Sequence, residues 1–512
     1  MALKLCRCLL LLMIAPLVIA RAQSSEHSSI NLPTSKQLTV PTPGYISSTN
    51  SFPSTMVISP DGRYAALLND GYGTQETMAH QSIAVLDLKT NQVADFPDAR
   101  LGDDAHQSYF LGLAFSSDGK HLYASVGSLT DPTGTKPNDM GNGIAVYSFA
   151  VGKVKPERFI HIPLQPLPAG KKLAVGLKAP PHLAIPYPAG IAVIAAHGHD
   201  ELLVANNLSD NVVLLDAATG KISHTFDLST GDLVPATYPY TCVAEKDGRR
   251  AWCSLWNASE VAELDLTRGT VARRIDVKKP KDPLAPGSHP TAMLLSRGEG
   301  FLYVALSNSD SIALIPTAGG DTFSFPVTWK GEKSTGYDPI ALGQSASGLQ
   351  LFVGCAGLNA VAVFDATFSQ VKLMTVDDLG HNLGFIPTDW YPSALAVHGD
   401  DLLIATAKGE GAGPNKMMGK TVYETKHKEH AYIPTLLRGS IARLNIPSTL
   451  QKLPQLTETV ERDNLLHSDP GKITFATGEN PIKHVIYVLK ENRTYDQILG
   501  DLKVGDGDPS LT

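Results

Sequence analysis

One structural unit recurs along most of this chain at a nearly constant interval. Each copy has an alternating apolar strand, a glycine turn, a returning strand and a third strand that often ends in Asp. The turn glycines of the seven copies are Gly62, Gly119, Gly198, Gly248, Gly298, Gly348 and Gly399. The last five recur with a period of about 50 residues, and the two earlier gaps are longer. Because one small sheet cannot bury both faces but a ring of sheets can, the repeat predicts an all-β fold, a seven-bladed β-propeller.

Such a ring needs a strand that joins its last blade to its first. Gln37–Val40 precedes the first unit and alternates like a strand. We therefore predict that it completes the last blade beside the strand at 441–446, which would leave no long open edge. The alternative is a loose N-terminal arm.

The composition supports a globular chain and argues against one class of partner. Hydrophobic residues make up 43% of the 512 residues and charged residues 18%, which is enough for a large core. The formal net charge is −7, and the sequence has no basic run. A nucleic-acid-binding surface normally carries a basic excess, so we expect no nucleic-acid partner.

The N-terminal segment 1–22 has the pattern of an export signal. Lys4 and Arg7 give a positive start, an apolar stretch follows at 8–19, and Ala20-Arg-Ala22 is a small-x-small cleavage site. The stretch is short for a membrane span, although an uncleaved anchor is the alternative. No later segment is apolar enough to cross a bilayer. We expect an exported protein, periplasmic or extracellular.

Three cysteines remain after the signal: Cys242, Cys253 and Cys355. A two-residue loop at Asp247-Gly248 would place Cys242 opposite Cys253, and an exported protein could then oxidise the pair. A three-residue loop would turn the two side chains to opposite faces. We expect buried free thiols, with the disulfide as the alternative.

A dipeptide that ends in proline recurs just before the first strand of five units. The copies are Tyr187-Pro188, Tyr238-Pro239, His289-Pro290, Asp338-Pro339 and Tyr391-Pro392. Proline fixes an extended start there and cannot donate to a strand ladder, so we expect a packing role. The alternative is that these side chains line the mouth of the central channel and bind a ligand.

Two insertions interrupt the repeat. The segment 154–188 is rich in proline and is expected to cross one face as an irregular loop, and the segment 408–437 interrupts the seventh unit. Long loops on a rigid scaffold often carry recognition, so both are candidates for an unknown ligand or protein partner. His427 and His430 could share a metal at a spacing of three, but the surrounding lysines favour a solvated loop.

Residues 36–450 resemble the YVTN family of surface and periplasmic propellers. The strands Leu203-Val-Ala-Asn206 and Tyr303-Val-Ala-Leu-Ser-Asn308 carry the resemblance. It implies the fold and says little about function, since propellers have unrelated activities. A propeller that is itself an enzyme, lactonase-like or quinone-dependent, is one alternative, and a surface adhesion or ligand-binding protein is another.

The C-terminal segment 481–512 differs in character from the repeats. The run 484–489 is continuously apolar and predicts a strand buried on both faces, and 495–499 predicts a helix. Glu491 and Asn492 follow the run at the end where such sheets bind ligands. A carboxylate and an amide oxygen are suitable ligands for a divalent cation.

The segment from Ile482 to Asp496 resembles the opening of the phosphoesterase family that includes bacterial acid phosphatases and phospholipases C. The resemblance implies an alkaline-phosphatase-like α/β fold, hydrolysis of phosphate esters, and Glu491 and Asn492 as metal ligands. Thr494-Tyr495 replaces the Ser-Phe of many members. The nucleophile and the other acidic ligands of that family would lie downstream, so we expect a truncated domain with no catalysis by this chain alone.

The sequence thus predicts a propeller with a short C-terminal α/β fragment. The predicted segments are a signal peptide at 1–22, a propeller at 23–450, a linker at 451–480 and a phosphoesterase-like start at 481–512. We expect a binding or scaffold module. We assign no catalytic residue. Glu491 and Asn492 are the only metal ligands that the resemblance implies, for a divalent metal in the complete parent domain, and in this chain alone we expect both to be inert.

Overall fold

The computed structural model describes residues 28–512 with several exceptions. The excepted positions are 35, 72–80, 102–105, 197, 282–283, 330–331, 333–335, 368–379, 413–435, 467–473, 490, 492 and 506. The predicted signal peptide, His427 and His430 lie outside the described residues. The chain divides into two compact units, which meet in sequence between Leu466 and His467.

Seven antiparallel sheets of four strands each form a β-propeller in the first unit. In every sheet the first strand lies at one edge and contacts the first strands of both neighbouring sheets, which closes a seven-membered ring. The predicted seven-bladed propeller is confirmed. The seven first strands, which we call the inner strands, are Pro53–Ile58, Ser108–Phe115, Pro188–Ala196, Pro239–Ala244, Pro290–Leu295, Pro339–Gln344 and Trp390–His398.

The other strands of each blade follow outward from the inner strand. The second strands are Tyr64–Asn69, His121–Gly127, His199–Asn206, Arg250–Leu255, Phe301–Leu306, Gln350–Cys355 and Asp401–Gly409. The third strands are Ser82–Asp87, Gly143–Ala150, Asn211–Asp216, Glu260–Asp265, Ser311–Pro316, Ala360–Asp365 and Ser440–Asn445. The outermost strands are Gln92–Pro97, Lys153–His161, Ile222–Asp227, Thr270–Asp276, Phe323–Pro326, Asn382–Pro387 and, in the last blade, Tyr45–Ser48.

Shorter elements complete the two units. The extra strands are the pairs Ser28–Asn31 with Gln37–Val40, Gln165–Pro166 with Leu183–Ala184, and Lys172–Leu173 with Leu233–Val234. The α-helices are Ile446–Gln451, Leu453–Asp463 and Tyr495–Leu499, and the short 3₁₀ turns are Ala99–Leu101, Ser307–Ser309 and Pro509–Leu511. Within the described part of the chain, no helix has the length and apolar character needed to cross a bilayer.

The hydrophobic core of the propeller lies between the blades. Seven buried clusters each combine side chains from one pair of adjacent blades. Successive side chains of a strand point to opposite faces of the sheet, so they contribute to two different clusters. Leu67 packs against the seventh blade and Leu68 against the second, and both are fully buried. This is why the second and third strands are apolar at most of their interior positions.

Close contacts between inner strands hold the centre of the ring together. The Thr55 hydroxyl donates to the carbonyl of Leu111 at 2.6 Å, and the Thr241 hydroxyl donates to the carbonyl of Thr291 at 2.6 Å. Gly112 takes the equivalent place between the second and third blades, where a Cβ would lie 2.3 Å from the carbonyl oxygen of Ala189. A short hydroxyl or a glycine is therefore needed at each of these contacts.

An N-terminal strand closes the ring as predicted, but the strand is a different one. Tyr45–Ser48 pairs with Ser440–Asn445, whereas Gln37–Val40 forms a separate hairpin with Ser28–Asn31. The backbone N–H and the hydroxyl of Thr39 both donate to the carboxylate of Asp463 at 3.0 Å. These bonds hold the hairpin against the helix that contains Asp463, and the next segment of the chain is left to pair with the last blade.

The helix Leu453–Asp463 lies in the segment predicted as a linker, and it packs on the sixth blade. The Thr457 hydroxyl accepts a hydrogen bond from the backbone N–H of Phe385 at 2.9 Å. This approach requires Gly384, because a Cβ there would lie 2.4 Å from the Thr457 hydroxyl oxygen.

Six of the seven predicted turn glycines have positive φ, between 56° and 87°. The exception is Gly298, where the residue with positive φ is Glu299, at 56°. The N–H of Glu299 donates to the carbonyl of Ser296, as the N–H of Gly119 does to that of Ser116. The glycine assignment in this unit was therefore wrong by one residue.

The cysteines of the fourth blade are not free thiols, so that expectation was wrong. Cys242 and Cys253 face each other across the inner and second strands and form a disulfide. The backbone N–H of Glu245 donates to the carbonyl of Arg250, which fixes the register in which the two cysteines oppose. Cys355 is a buried free cysteine.

The second unit has little regular structure in its described residues. Residues 481–489 are exposed and form no strand, so the prediction of a buried strand there was wrong. No ladder partner covers the run among the described residues. The predicted helix is confirmed as Tyr495–Leu499, and it begins with a capping box between Thr494 and Gln497.

Candidate functional site

Six residues at the start of the inner strands have strained backbones at the same end of the ring. Each is followed by a proline, and each has φ between 51° and 71°, the left-handed region that non-glycine residues avoid. They are Phe52, Tyr187, Tyr238, His289, Asp338 and Tyr391. Such strain persists only where the surroundings enforce it.

Two sets of hydrogen bonds enforce this conformation. The carbonyl of His289 accepts from the N–H of Ser307, and the carbonyl of Asp338 accepts from the N–H of Ala356, in each case from the residue after the second strand. The carboxylate of Asp310, in the turn of the preceding blade, accepts at 2.9 Å from the N–H groups of both Tyr337 and Asp338. The residues before the prolines therefore have the structural role that was expected. The hydrogen bonds that hold their backbone also fix where their side chains lie.

A cavity of about 800 Å³ runs along the ring axis and is lined by the inner strands of all seven blades. Residues that flank these strands at one end also line it, among them Phe52, Trp256, His289, Asp338 and Tyr391. These residues either lie at the start of an inner strand or follow a second strand. Because the two strands are antiparallel, both positions lie at the same end, which we call the mouth.

Aromatic rings surround much of the mouth. Trp256 and His289 are stacked, with ring centroids 3.9 Å apart and an angle of 18° between the planes. Phe52 lies 6.1 Å from Tyr391 across the junction of the first and last blades. On the other side, Phe110 packs edge-on against Tyr240, at 6.0 Å, and also against Tyr187.

The alternative prediction, that the residues before the prolines line the channel mouth, is confirmed for His289, Asp338 and Tyr391.

Three ionisable groups at the mouth have pKa values shifted by burial. Burial raises the pKa of the Asp338 carboxyl, and the negative charge of Asp310 raises it further. Burial lowers the pKa of Lys408, an effect opposed by the charge of Asp338, and burial also lowers the pKa of His289. The Lys408 ammonium lies 4.5 Å from the centroid of the Tyr391 ring and 4.8 Å from that of Trp390.

A fourth ionisable group, Asp70, follows the second strand of the first blade. Its carboxylate accepts from the Ser54 hydroxyl at 2.9 Å, and its N–H donates to the carbonyl of Phe52. Burial raises the pKa of the Asp70 carboxyl well above its usual value. Every one of these shifts favours the uncharged form, which is typical of residues that line functional sites.

The predicted metal ligands are not near this mouth in sequence, and the structure does not test them. Glu491 is exposed, and Asn492 lies outside the described residues. No cluster of three or more His, Cys, Asp or Glu side chains suited to a metal ion occurs in the described parts of the chain. The metal site at Glu491 and Asn492 stays a prediction.

The two insertions differ in what the structure shows. The segment 154–188 begins as a regular strand, Lys153–His161, where an irregular loop was expected, because residues 153–161 pair with the third strand of the second blade. Further along, the Gln165 side chain accepts from the Asn211 amide at 3.0 Å. Most of the segment 408–437 lies outside the described residues. A partner surface on either insertion stays a prediction.

Sequence reasoning missed Trp256 and Lys408. Trp256 follows the second strand of the fourth blade, where the third and fifth blades carry Asn207 and Ser307. An aromatic side chain at a turn position that is polar in neighbouring repeats was the available signal. Lys408 had no comparable signal, because its place between two rings depends on tertiary structure.

Comparison with known proteins gives no family for this chain. No family model and no curated protein matches it. Solved structures with a similar fold include hydrazine synthase from Kuenenia stuttgartiensis, with 16% identity, a TM-score of 0.48 and coverage of 70% of this chain and 93% of that one. A periplasmic gluconolactonase from Pseudomonas aeruginosa has 16% identity, a TM-score of 0.47 and coverage of 67% and 86%. Virginiamycin B lyase from Staphylococcus aureus has 12% identity, a TM-score of 0.46 and coverage of 81% and 98%. Overlap this low transfers no activity to this chain.

Proposed function

We propose that this chain binds a small organic molecule in the axial cavity, at the mouth formed by Phe52, Trp256, His289, Asp338 and Tyr391. One observation carries the proposal: side chains from several blades converge at the end of one cavity, and four of the five lie on backbone held at positive φ. A volume of about 800 Å³ lies in the range of small-molecule sites. Rigid aromatic groups bind with a small loss of side-chain entropy.

A thermal-shift screen of the full chain against a library of neutral, anionic and cationic metabolites tests this proposal. We expect at least one compound to raise the melting temperature in a saturable way. Tyr391→Ala should lower the affinity for that compound about tenfold or more, the usual effect of removing a central aromatic contact. The concentration needed for half of the saturating shift measures this affinity. Tyr45→Ala is the matched control, because Tyr45 lies on the outermost strand of the last blade. A full library without a saturable shift, or equal losses in both variants, would contradict the proposal.

A second candidate function is an enzyme that uses acid–base chemistry at this mouth, with lactone hydrolysis as the reaction to test. The supporting observation is that burial shifts the pKa values of His289, Asp338 and Lys408 toward their uncharged forms. Acid release from a panel of lactones measures the activity. We expect His289→Gln to abolish any turnover, and turnover that persists in this variant would exclude His289 as the base.

Export of the protein is a further part of the proposal. The predicted signal at 1–22 and the disulfide between Cys242 and Cys253 support it, because disulfides persist in oxidising compartments. Cell fractionation with mass spectrometry of the N-terminus tests it. Recovery of the intact N-terminus in the cytosolic fraction would contradict export.

We also propose that the C-terminal segment derives from a phosphoesterase, on the resemblance at 482–496. The YVTN character of the propeller is a proposal of the same kind, supported by Leu203–Asn206 and Tyr303–Asn308. Hydrolysis of p-nitrophenyl phosphate with added divalent metals tests whether the C-terminal segment retains phosphoesterase activity. We expect no activity from this chain, and activity lost in Glu491→Ala would show a working metal site instead.

A further inference from the structure

We infer that the ligand of the axial cavity is a neutral, polyhydroxylated ring compound, that is, a saccharide. This inference rests on the proposed function and names its ligand class. Three features of the mouth and the inner strands carry it: a flat aromatic platform, free peptide edges, and two pairs of opposite charge.

The platform consists of the stacked rings of Trp256 and His289. Their planes differ by only 18°, both residues are partly exposed, and both line the cavity. Two consecutive blades supply them, Trp256 from the turn after a second strand and His289 from the residue before an inner strand. Each ring covers one face of the other, so the flat surface that remains for a ligand is the outer face of the stack. Such a face matches the C–H face of a pyranose ring, which packs on aromatic rings through dispersion and burial of apolar area.

The peptide edges come from the topology of the blades. Every inner strand lies at the edge of its sheet, so one of its two edges has no ladder partner. Such an edge presents alternating N–H donors and C=O acceptors. Several of the acceptors are used by threonine hydroxyls of the neighbouring blade, as at Leu111 and Thr291. Groups that both donate and accept therefore already bind this edge, and sugar hydroxyls have the same capacity.

Two pairs of opposite charge lie at the mouth. Asp338 interacts electrostatically with Lys408, and Asp310 with Lys36. Lys36 also donates to the carbonyl of Gly357. Each of these two pairs carries no net formal charge, and burial opposes charge on Asp70 as well. A charged ligand would leave one group without its counter-charge in a partly desolvated site, and a neutral ligand would not.

Other ligand classes fit the same observations less well. The Lys408 ammonium already covers the faces of Trp390 and Tyr391, so an organic cation would have only the other rings of the mouth, such as Trp256, to bind. An anion would need Lys408, whose charge already faces Asp338 and whose pKa burial lowers. Within the described residues, no hydrogen bond or ion pair engages the Asp338 carboxyl, which leaves its oxygens to accept from ligand hydroxyls.

The test is calorimetric titration of the full chain with matched sugars that differ in charge. The probes are glucose, galactose and mannose, α- and β-linked glucose disaccharides, gluconate as the anion and glucosamine as the cation. We expect at least one neutral sugar to bind about tenfold or more tightly than its charged counterpart, since an unpaired charge costs at least that in a partly buried site. Tighter binding of a disaccharide would indicate the end of a saccharide chain, and equal binding a free monosaccharide.

Substitutions separate the contributions of the platform and the charges. Trp256→Ala should weaken sugar binding about tenfold or more, while Trp256→Phe keeps a ring and should lose less. Asp338→Asn removes one charge at nearly constant shape and should improve gluconate binding relative to glucose, whereas Lys408→Met should improve glucosamine binding relative to glucose. Tyr45→Ala should change none of these values.

The outcomes distinguish a failure of the saccharide inference from a failure of the proposed binding function. If a charged or purely apolar compound binds at the mouth and every neutral sugar fails, the saccharide inference is wrong and the binding function stands. Retained sugar binding in Trp256→Ala would also overturn the inference, because the platform would then be irrelevant. If neither the sugars nor the wider metabolite library binds, the proposed function itself is wrong.

Discussion

Two apolar runs of nearly the same composition have opposite environments in this protein. Leu302-Tyr-Val-Ala-Leu306, in the fifth blade, is fully buried at every position. Val485-Ile-Tyr-Val-Leu489, in the second unit, is exposed by 72% to 89% at every position. The first run has a ladder partner on each side and a neighbouring blade on each face. Apolar composition therefore selects a buried strand only where the rest of the fold supplies partners.

The largest expected effect comes from the same substitution in both runs. Leu302→Ala should lower the free energy of unfolding by about 2–5 kcal/mol, because it opens a cavity between two blades. Leu489→Ala should change it by less than about 0.5 kcal/mol, because Leu489 is exposed. Urea unfolding monitored by circular dichroism measures both. Similar losses in the two variants would contradict the difference in burial.

Removal of the disulfide should have the next largest effect within the propeller. The sequence separation of the two cysteines is 11, and loop-entropy arguments give about 3 kcal/mol for a loop of that length. The variant is Cys242→Ala with Cys253→Ala, measured by urea unfolding against the oxidised parent. Addition of a reductant should reproduce the loss in the parent and change the double variant little. A parent that is insensitive to reductant would show that the two thiols are not joined.

A smaller effect tests whether the helix Leu453–Asp463 belongs to the propeller. Gly384→Ala places a Cβ 2.4 Å from the Thr457 hydroxyl oxygen, at a φ of 145°. The strain should cost about 1–3 kcal/mol in thermal or urea unfolding. Gly298→Ala is the control, since no atom lies within 4 Å of the new Cβ and φ is ordinary, so the change should be a few tenths of a kcal/mol. Equal effects would show that the helix does not dock on Gly384.

The smallest expected effect concerns pH and an exposed turn of the second blade. The backbone N–H of Lys120 and the hydroxyl of Ser116 lower the pKa of Asp118 to about 2. Since this folded value lies below the unfolded value of about 3.9, the stabilisation is complete above pH 4 and is lost as the pH falls toward 2. Melting curves between pH 2 and pH 6 should show a smaller acid-induced loss for Asp118→Ala than for the parent. If the melting temperatures of the parent and of Asp118→Ala fall equally with pH, the lowered pKa of Asp118 is contradicted.

The repeat made most of the fold predictable. Turn glycines such as Gly62 and Gly119 mark a conformation with positive φ, so their spacing reports the blades directly. The shift from Gly298 to Glu299 shows the limit of that signal, because hydrogen bonds of the turn admit a glutamate there. The helix at Tyr495–Leu499 was predictable for a local reason, since Thr494 and Gln497 cap it.

Features that depend on distant residues were not predictable. Gln37–Val40 and Tyr45–Ser48 both look like strands. The hairpin with Ser28–Asn31 and the bonds between Thr39 and Asp463 occupy the first, and the second pairs with the last blade. The disulfide depended on a loop register that the sequence left open. At the mouth, the dipeptides with proline indicated His289 and Asp338. An aromatic residue at a turn position that is polar in neighbouring repeats could have indicated Trp256, but its stacking on His289 joins two blades and depends on tertiary structure.

Ligand binding at the mouth of the propeller should not depend on the C-terminal segment. The most direct measurement is a calorimetric titration of the full chain, as Trp256→Ala and as Glu491→Ala, with the ligand that the parent binds. The account predicts an affinity at least about tenfold lower for Trp256→Ala and an unchanged affinity for Glu491→Ala. Unchanged binding in Trp256→Ala together with lost binding in Glu491→Ala would contradict it.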